Sequence, residues 1–255
     1  MNISKHVFNT SSDRKLEDGL GNRSYFLSLL HTASFKNIIT SLLILFSAII
    51  ADAQTEPDFR KTLHDRSAKI VNTLEIADSG KYNSIVELLT EQYFNLNKIH
   101  DKSKESIAAI KSIQLPEEEK NNCIKKEEEG KIVQLTKLHN RFIAQLQTTL
   151  TEDQIEKIKD GMTYRVMPVT YAAYQDIILT LTIEQKEKIY NWLKEARELA
   201  MDEGSSEDKH KVFGKYKGRI NNYLSSQGYD MKVEEKGWQQ RIKEREAAKK
   251  SSAGK

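Results

Sequence analysis

The chain has 255 residues, 30% of them charged and 38% hydrophobic, with only 3 Pro and 11 Gly. Forty Lys and Arg against 37 Asp and Glu leave a net charge of +3. That near balance argues against nucleic acid as a partner, which calls for a strong basic excess.

Few chain breakers and abundant Glu, Lys, Leu and Ile favour helices. The one cysteine, Cys123, excludes an internal disulfide. Residues 1–35 carry no periodic pattern and are read as an atypical, disordered leader outside the fold. Residues 36–53 read as a signal peptide: Lys36 supplies the positive charge, Ile38 to Ile50 is mostly apolar, and Ala51-Asp52-Ala53 is a small-x-small cleavage site. The apolar run falls short of the ~20 residues that a membrane span needs. The expected product is exported to the periplasm or beyond, cleaved after Ala53, with no stable membrane span afterwards.

From 54 to 230 the pattern predicts a single helical domain. Phe59, Leu63, Ile70, Val71 and Leu74 recur at helical spacing. After a break at Asp78-Ser79-Gly80, a second stripe runs through Ile85, Leu88, Leu89, Tyr93, Leu96 and Ile99. Pro116 followed by three Glu marks a helix start, since Pro suits the first turn and acids suit the positive end of the helix dipole. Its stripe is Ile132, Leu135, Leu138, Phe142 and Leu146, and the run at 125–131 reads as a solvated face or a kink at Gly130.

Two segments, "LTEDQIEKI" from Leu150 and "LTIEQKEKI" from Leu181, share Leu-Thr-x-x-Gln. Thr151 and Thr182 can accept a backbone N–H bond, while Gln154 and Gln185 reach back to the cap's own N–H, which makes two capping boxes. The pair also resembles repeats in small periplasmic helical stress chaperones of the Spy and CpxP type. Between the boxes, Pro168 interrupts the periodicity, and Tyr164, Tyr171 and Tyr174 read as a connecting loop. Those rings either wedge the loop against the bundle or rim a site for a sugar or another polar ligand.

Ser205 with Asp208 starts a helix over about 206–226, and Gly228 ends it. On a wheel of about 100° per residue, Val212, Phe213, Tyr216, Ile220, Tyr223 and Leu224 form the core face. Lys211, Lys215, Arg219 and Asn222 form a solvated stripe. His210, Gly214, Lys217, Gly218 and Asn221 form a third face, a trough of exposed backbone edged by polar heads. The trough is expected to receive another helix, with Gly218 as the close-approach residue. The alternative is a ligand groove in which His210, Lys217 and Asn221 donate hydrogen bonds. Residues 231–255 read as a charged C-terminal helix or tail.

The segments "DGMTYRVMPVTYAAY" and "NWLKEARELAMDEGSSEDKHKVFGKYKGRINNYLSSQGYD", with the two boxes, resemble the secreted domain of unknown function 3826 family from about Phe59 to Trp238. The resemblance implies an exported helical protein with a tilt toward carbohydrate utilisation, and no established activity. The expectation is an all-α, irregular bundle with long antiparallel helices. Its first functional reading is a non-catalytic binding protein for carbohydrate or another polar ligand. A helical interaction or chaperone-like protein with a protein partner is the alternative, and a glycan-active enzyme using paired carboxylates from Asp160, Asp202 and Glu203 is third. HExxH, CxxC and Gly-x-Ser-x-Gly motifs are absent from the sequence, and His64, His100, His139 and His210 are dispersed. No catalytic residue, metal or cofactor is therefore assigned.

Overall fold

The computed structural model describes residues 56–253. The leader, the signal segment and its cleavage point lie outside the described residues. The fold is all-α. Helix α1 covers 56–71 and closes in a 3-10 turn at Asn72–Leu74. Helix α2, Ser79–Ser112, begins where Asp78 accepts a bond from the Lys81 amide. Helix α3 is Glu117–Gln147 and runs unbroken through Gly130. The connection from 113 to 116 is so short that α2 and α3 must be antiparallel neighbours. Their buried residues stop at Ser103 on α2 and resume at Leu138 on α3, so the far end of the hairpin has little cover. Ile132 is 59% exposed, so the expected stripe on α3 loses its first member.

Helices α4 (Glu152–Met162) and α6 (Ile183–Met201) start with the two boxes. In α6, Gln185 N donates to Thr182 Oγ1 at 3.2 Å and Thr182 N donates to Gln185 Oε1 at 3.0 Å. In α4 the reciprocal bonds of Thr151 and Gln154 are both 3.3 Å. Purely local chemistry explains the repeated motif.

The expected tyrosine-rich loop is mostly a helix. Helix α5 spans Val166–Ile177, and only 163–165 turns. Pro168 is its third residue, where no intrahelical acceptor awaits an amide, so the proline starts the helix rather than breaking it. The turn before it holds Tyr164 and Arg165 at φ of 56° and 58°, a left-handed pair that costs about 1–2 kcal/mol per residue. Its amides find acceptors: Arg165 N donates to Asp160 O at 2.7 Å and Tyr164 N to Gly161 O at 3.3 Å.

Helix α7 is Ser206–Ser226, with the Asp208 amide donating to Ser205 Oγ at 3.0 Å. The Asp208 carboxylate accepts the Ser205 hydroxyl instead of reaching back to the cap's N–H, so only half of the expected box forms. At the other end Gly228 takes φ 92°, Gly228 N donates to Ser225 O, and Tyr229 N donates to Leu224 O. That pair of bonds is a Schellman turn and requires the glycine. Helix α8, Met231–Ala253, follows at once. Trp238 Nε1 donates to Asp176 Oδ2 at 2.6 Å, and Arg241 Nη2 donates to the Asp176 and Ile177 carbonyls at 2.7 and 2.9 Å. The Arg241 bonds satisfy two of the last carbonyls of α5, and together with the Trp238 bond to the Asp176 carboxylate they seat α8 against it.

Two apolar clusters form the core. One joins α1, α2, α3 and α4 through residues such as Val71, Leu89, Phe142 and Ile158. The other joins α5, α6 and α7 through Ile178, Leu193, Phe213 and Ile220. Helix α6 serves both, since Met201 belongs to the first and Ile189, Leu193, Ala196 and Ala200 to the second. Among the described residues no helix is long and apolar enough to cross a membrane.

Candidate functional site

The six residues singled out in the sequence fall in three places. Tyr174, Lys217 and Asn221 line one groove between α5, α7 and α8, about 370 Å³ in volume. Val169, Ala173, Ile177 and Met231 supply its apolar wall, and Thr170 and Glu235 share its rim. Tyr174 is 6% exposed and its hydroxyl donates to Asn221 Oδ1 at 2.7 Å. Burial pushes that phenol up to about 12, so it stays a neutral donor at any physiological pH. The Asn221 amide NH2 bonds to no described residue. The ammonium of Lys217 and the carboxylate of Glu235 pair with no described residue. The groove thus offers an apolar surface with donors and an acceptor in its lining.

Tyr164 lies elsewhere. Its ring stacks on His210, centroids 5.8 Å apart and planes 25° from parallel. His210 Nδ1 donates to Ser206 O at 2.7 Å, because a carbonyl can only accept. Tyr171 meets Tyr190 edge-on at 5.3 Å on a further face. Neither His210 nor Tyr171 lines the groove.

The glycines overturn the expected helix contact. A Cβ on Gly214 or Gly218 would meet no atom within 4 Å, so no described helix packs into the trough. Neither glycine lines the Tyr174 groove. The close-approach glycines are two others. At Gly161 a Cβ would sit 2.7 Å from Ile70 Cγ2, and at Gly204 it would sit 2.8 Å from His100 Cγ.

Sequence reasoning missed a buried ionic seam between α4 and α6. Arg197, 1% exposed, donates to Asp160 Oδ1 at 2.7 Å and to Glu156 Oε2. Burial opposes its charge, and the two carboxylates outweigh that and keep it protonated. Lys159 Nζ donates to Glu198 Oε2 at 2.9 Å. His139 on α3 lies 3.0 Å from Asp202 Oδ2. The Asp202 hydrogen bond lifts the imidazole above its ordinary range, partly against desolvation. Asp160 and Asp202 are therefore tied to different cations, and Glu203 faces a separate cavity. Lys209, 4% exposed, donates to the Ala200 and Met201 carbonyls at 2.9 and 3.1 Å, and burial drives it down to about 8. Glu156 and Asp160, four apart, do share a helix face in the sequence. Nothing local says that Arg197 meets them.

The groove residues of α5, α7 and α8 all lie within a matched family segment. The model of a family described as protein of unknown function (DUF3826) matches residues 60–244. The chain belongs to that family. No curated protein matches it. The family segment includes Tyr174, Lys217, Asn221 and the α8 contacts of Trp238 and Arg241, so the groove is made wholly from it.

Proposed function

We propose that this DUF3826 protein is exported, through a signal peptide cleaved after Ala53, and binds a carbohydrate or a similarly polar ligand without transforming it. The supporting observation is the meeting of Tyr174, Lys217 and Asn221 in one groove with apolar walls. A sugar has the matching chemistry: C–H faces that lie on aliphatic side chains and hydroxyls that take the donors and acceptor at the rim. The groove's size falls within the range of small-molecule sites.

The chaperone-like alternative calls for a broad apolar face. Large exposed apolar residues here are spread over several elements in ones and twos: Ile113 and Leu115 between α2 and α3, Ile132 and Val133 on α3, Val169 on α5, Leu179 between α5 and α6, Ile183 and Leu199 on α6, and Val233 on α8. A glycan array followed by titration calorimetry tests the binding reading. Asn221→Ala and Lys217→Ala should each weaken a saturable ligand by about tenfold, as loss of a hydrogen bond to a charged or buried group does. Binding that persists in both variants, or no saturable binding to any glycan, contradicts it.

A further inference from the structure

A larger groove, about 500 Å³, lies between α2, α3 and the α6–α7 connection. It shares no lining residue with the Tyr174 groove. Lys104 and Lys111 rise from α2, two turns apart, and Lys131 faces it from α3. At 1.5 Å per residue, the first two are spaced about 10 Å along the helix. None of the three lysines has an ion pair or hydrogen bond to any described residue. The two acids in the groove are already engaged. Asp101 Oδ2 accepts from Asn97 Nδ2 at 2.8 Å. Asp208 accepts from Ser205 and from Lys211, at 2.6 and 3.1 Å.

The groove floor adds two observations. Ser103 is 3% exposed, and its hydroxyl has no partner. Buried Ser67, Thr90 and Thr163 all return their hydroxyls to the carbonyl four residues earlier. Ser103, equally helical, does not. An orphaned buried hydroxyl is costly unless something supplies the missing bond. Beside it, His100 Nε2 donates to Asp202 O at 2.7 Å, which leaves Nδ1 uncommitted. Gly204 is the residue that lets that ring in.

We propose that this groove binds a small molecule carrying two or more oxyanion groups. The three unpaired lysines neutralise the oxyanions, and the unpartnered Ser103 hydroxyl in the groove lining donates to one of them. Phosphate and sulfate share the chemistry these groups recognise, so the carrier is left to the experiment.

Titration calorimetry of the purified protein at low ionic strength, with tripolyphosphate and separately with a trisulfated disaccharide, tests it. At least one probe should bind saturably at one per chain, and which one identifies the carrier. Lys104→Ala and Lys111→Ala should each weaken it by about tenfold, as loss of a charge-assisted bond does. Lys215→Ala, which removes an exposed charge on α7, should leave it unchanged. Ser103→Ala should hold or raise the denaturation midpoint while weakening binding. Absence of saturable binding to both probes overturns the proposal. So does equal weakening by Lys215→Ala, which indicates diffuse charge attraction, or an affinity unchanged in Ser103→Ala.

Discussion

Replacing glycine with alanine should have opposite signs at two pairs of positions in this protein. Gly214 and Gly218 lie inside α7, exposed, with open space where a Cβ would go. Alanine there loses less backbone entropy on folding and strains nothing, so each change should stabilise by about 0.4–1 kcal/mol. The double variant should gain roughly 1–2 kcal/mol if the two add, which for a domain of this size raises Tm by about 2–8 °C. Gly161 is the counter-case. Its new methyl would meet Ile70 at 2.7, 3.0 and 3.3 Å, through Cγ2, Cγ1 and Cβ. Ile70 is β-branched and buried at 8%, so it has no flexible end to swing away. Overpacking of that kind costs about 1–3 kcal/mol. Gly204→Ala meets the His100 ring at 2.8 Å and should also destabilise. Urea denaturation followed by circular dichroism reads all four. A destabilised Gly218→Ala refutes the reasoning and means that something packs into the trough after all.

Thr151→Ala and Thr182→Ala should each cost about 1 kcal/mol by loss of the cap, measured by the same denaturation. Thr182→Ala should be the dearer, because Gln185 Oε1 also accepts the Tyr229 hydroxyl at 3.0 Å and ties that box to the α7–α8 corner. Arg197→Ala should cost about 3–5 kcal/mol, since it leaves Glu156 and Asp160 at a buried seam with no guanidinium. His139 has a folded pKa raised above its ordinary 6.5. Its bond to Asp202 therefore stabilises fully below that value and is lost as pH climbs through the raised one. The stability gap between the native protein and His139→Asn should accordingly be larger at pH 5.5 than at pH 8.5, and a gap that widens with pH contradicts the assignment.

Local chemistry was legible in the sequence, and chemistry between elements was not. Both Leu-Thr-x-x-Gln boxes, the bounds of α7 and its core face of Phe213, Ile220 and Leu224 follow from nearest-neighbour rules of capping and periodicity. Pro168 misled because a proline reads as a break unless its place in the first turn is known, and that place depends on the left-handed Tyr164–Arg165 pair. The trough on α7 was visible as a face, but whether a helix covered it depends on where the other helices go. Tyr174 and Asn221 lie 47 positions apart and Arg197 and Asp160 lie 37 apart. No spacing rule links such pairs: pairing the tyrosine-rich segment with the His210–Asn221 face brings Tyr174, Lys217 and Asn221 together, but the same pairing includes Tyr164, Tyr171 and His210, which lie elsewhere, and leaves out the apolar wall and α8.

The proposal that sugar binds in the groove between α5, α7 and α8 is most directly tested by amide chemical-shift mapping. The isotope-labelled protein is titrated with neutral tetrasaccharides of glucose, galactose, mannose and xylose. At least one sugar should give saturable shifts confined to the neighbourhood of Ala173, Tyr174, Lys217, Asn221 and Glu235. In Asn221→Ala those shifts should need about tenfold more sugar to saturate, while the spectrum otherwise keeps its folded dispersion. Saturable shifts centred elsewhere, or none with any of the four sugars, contradict it.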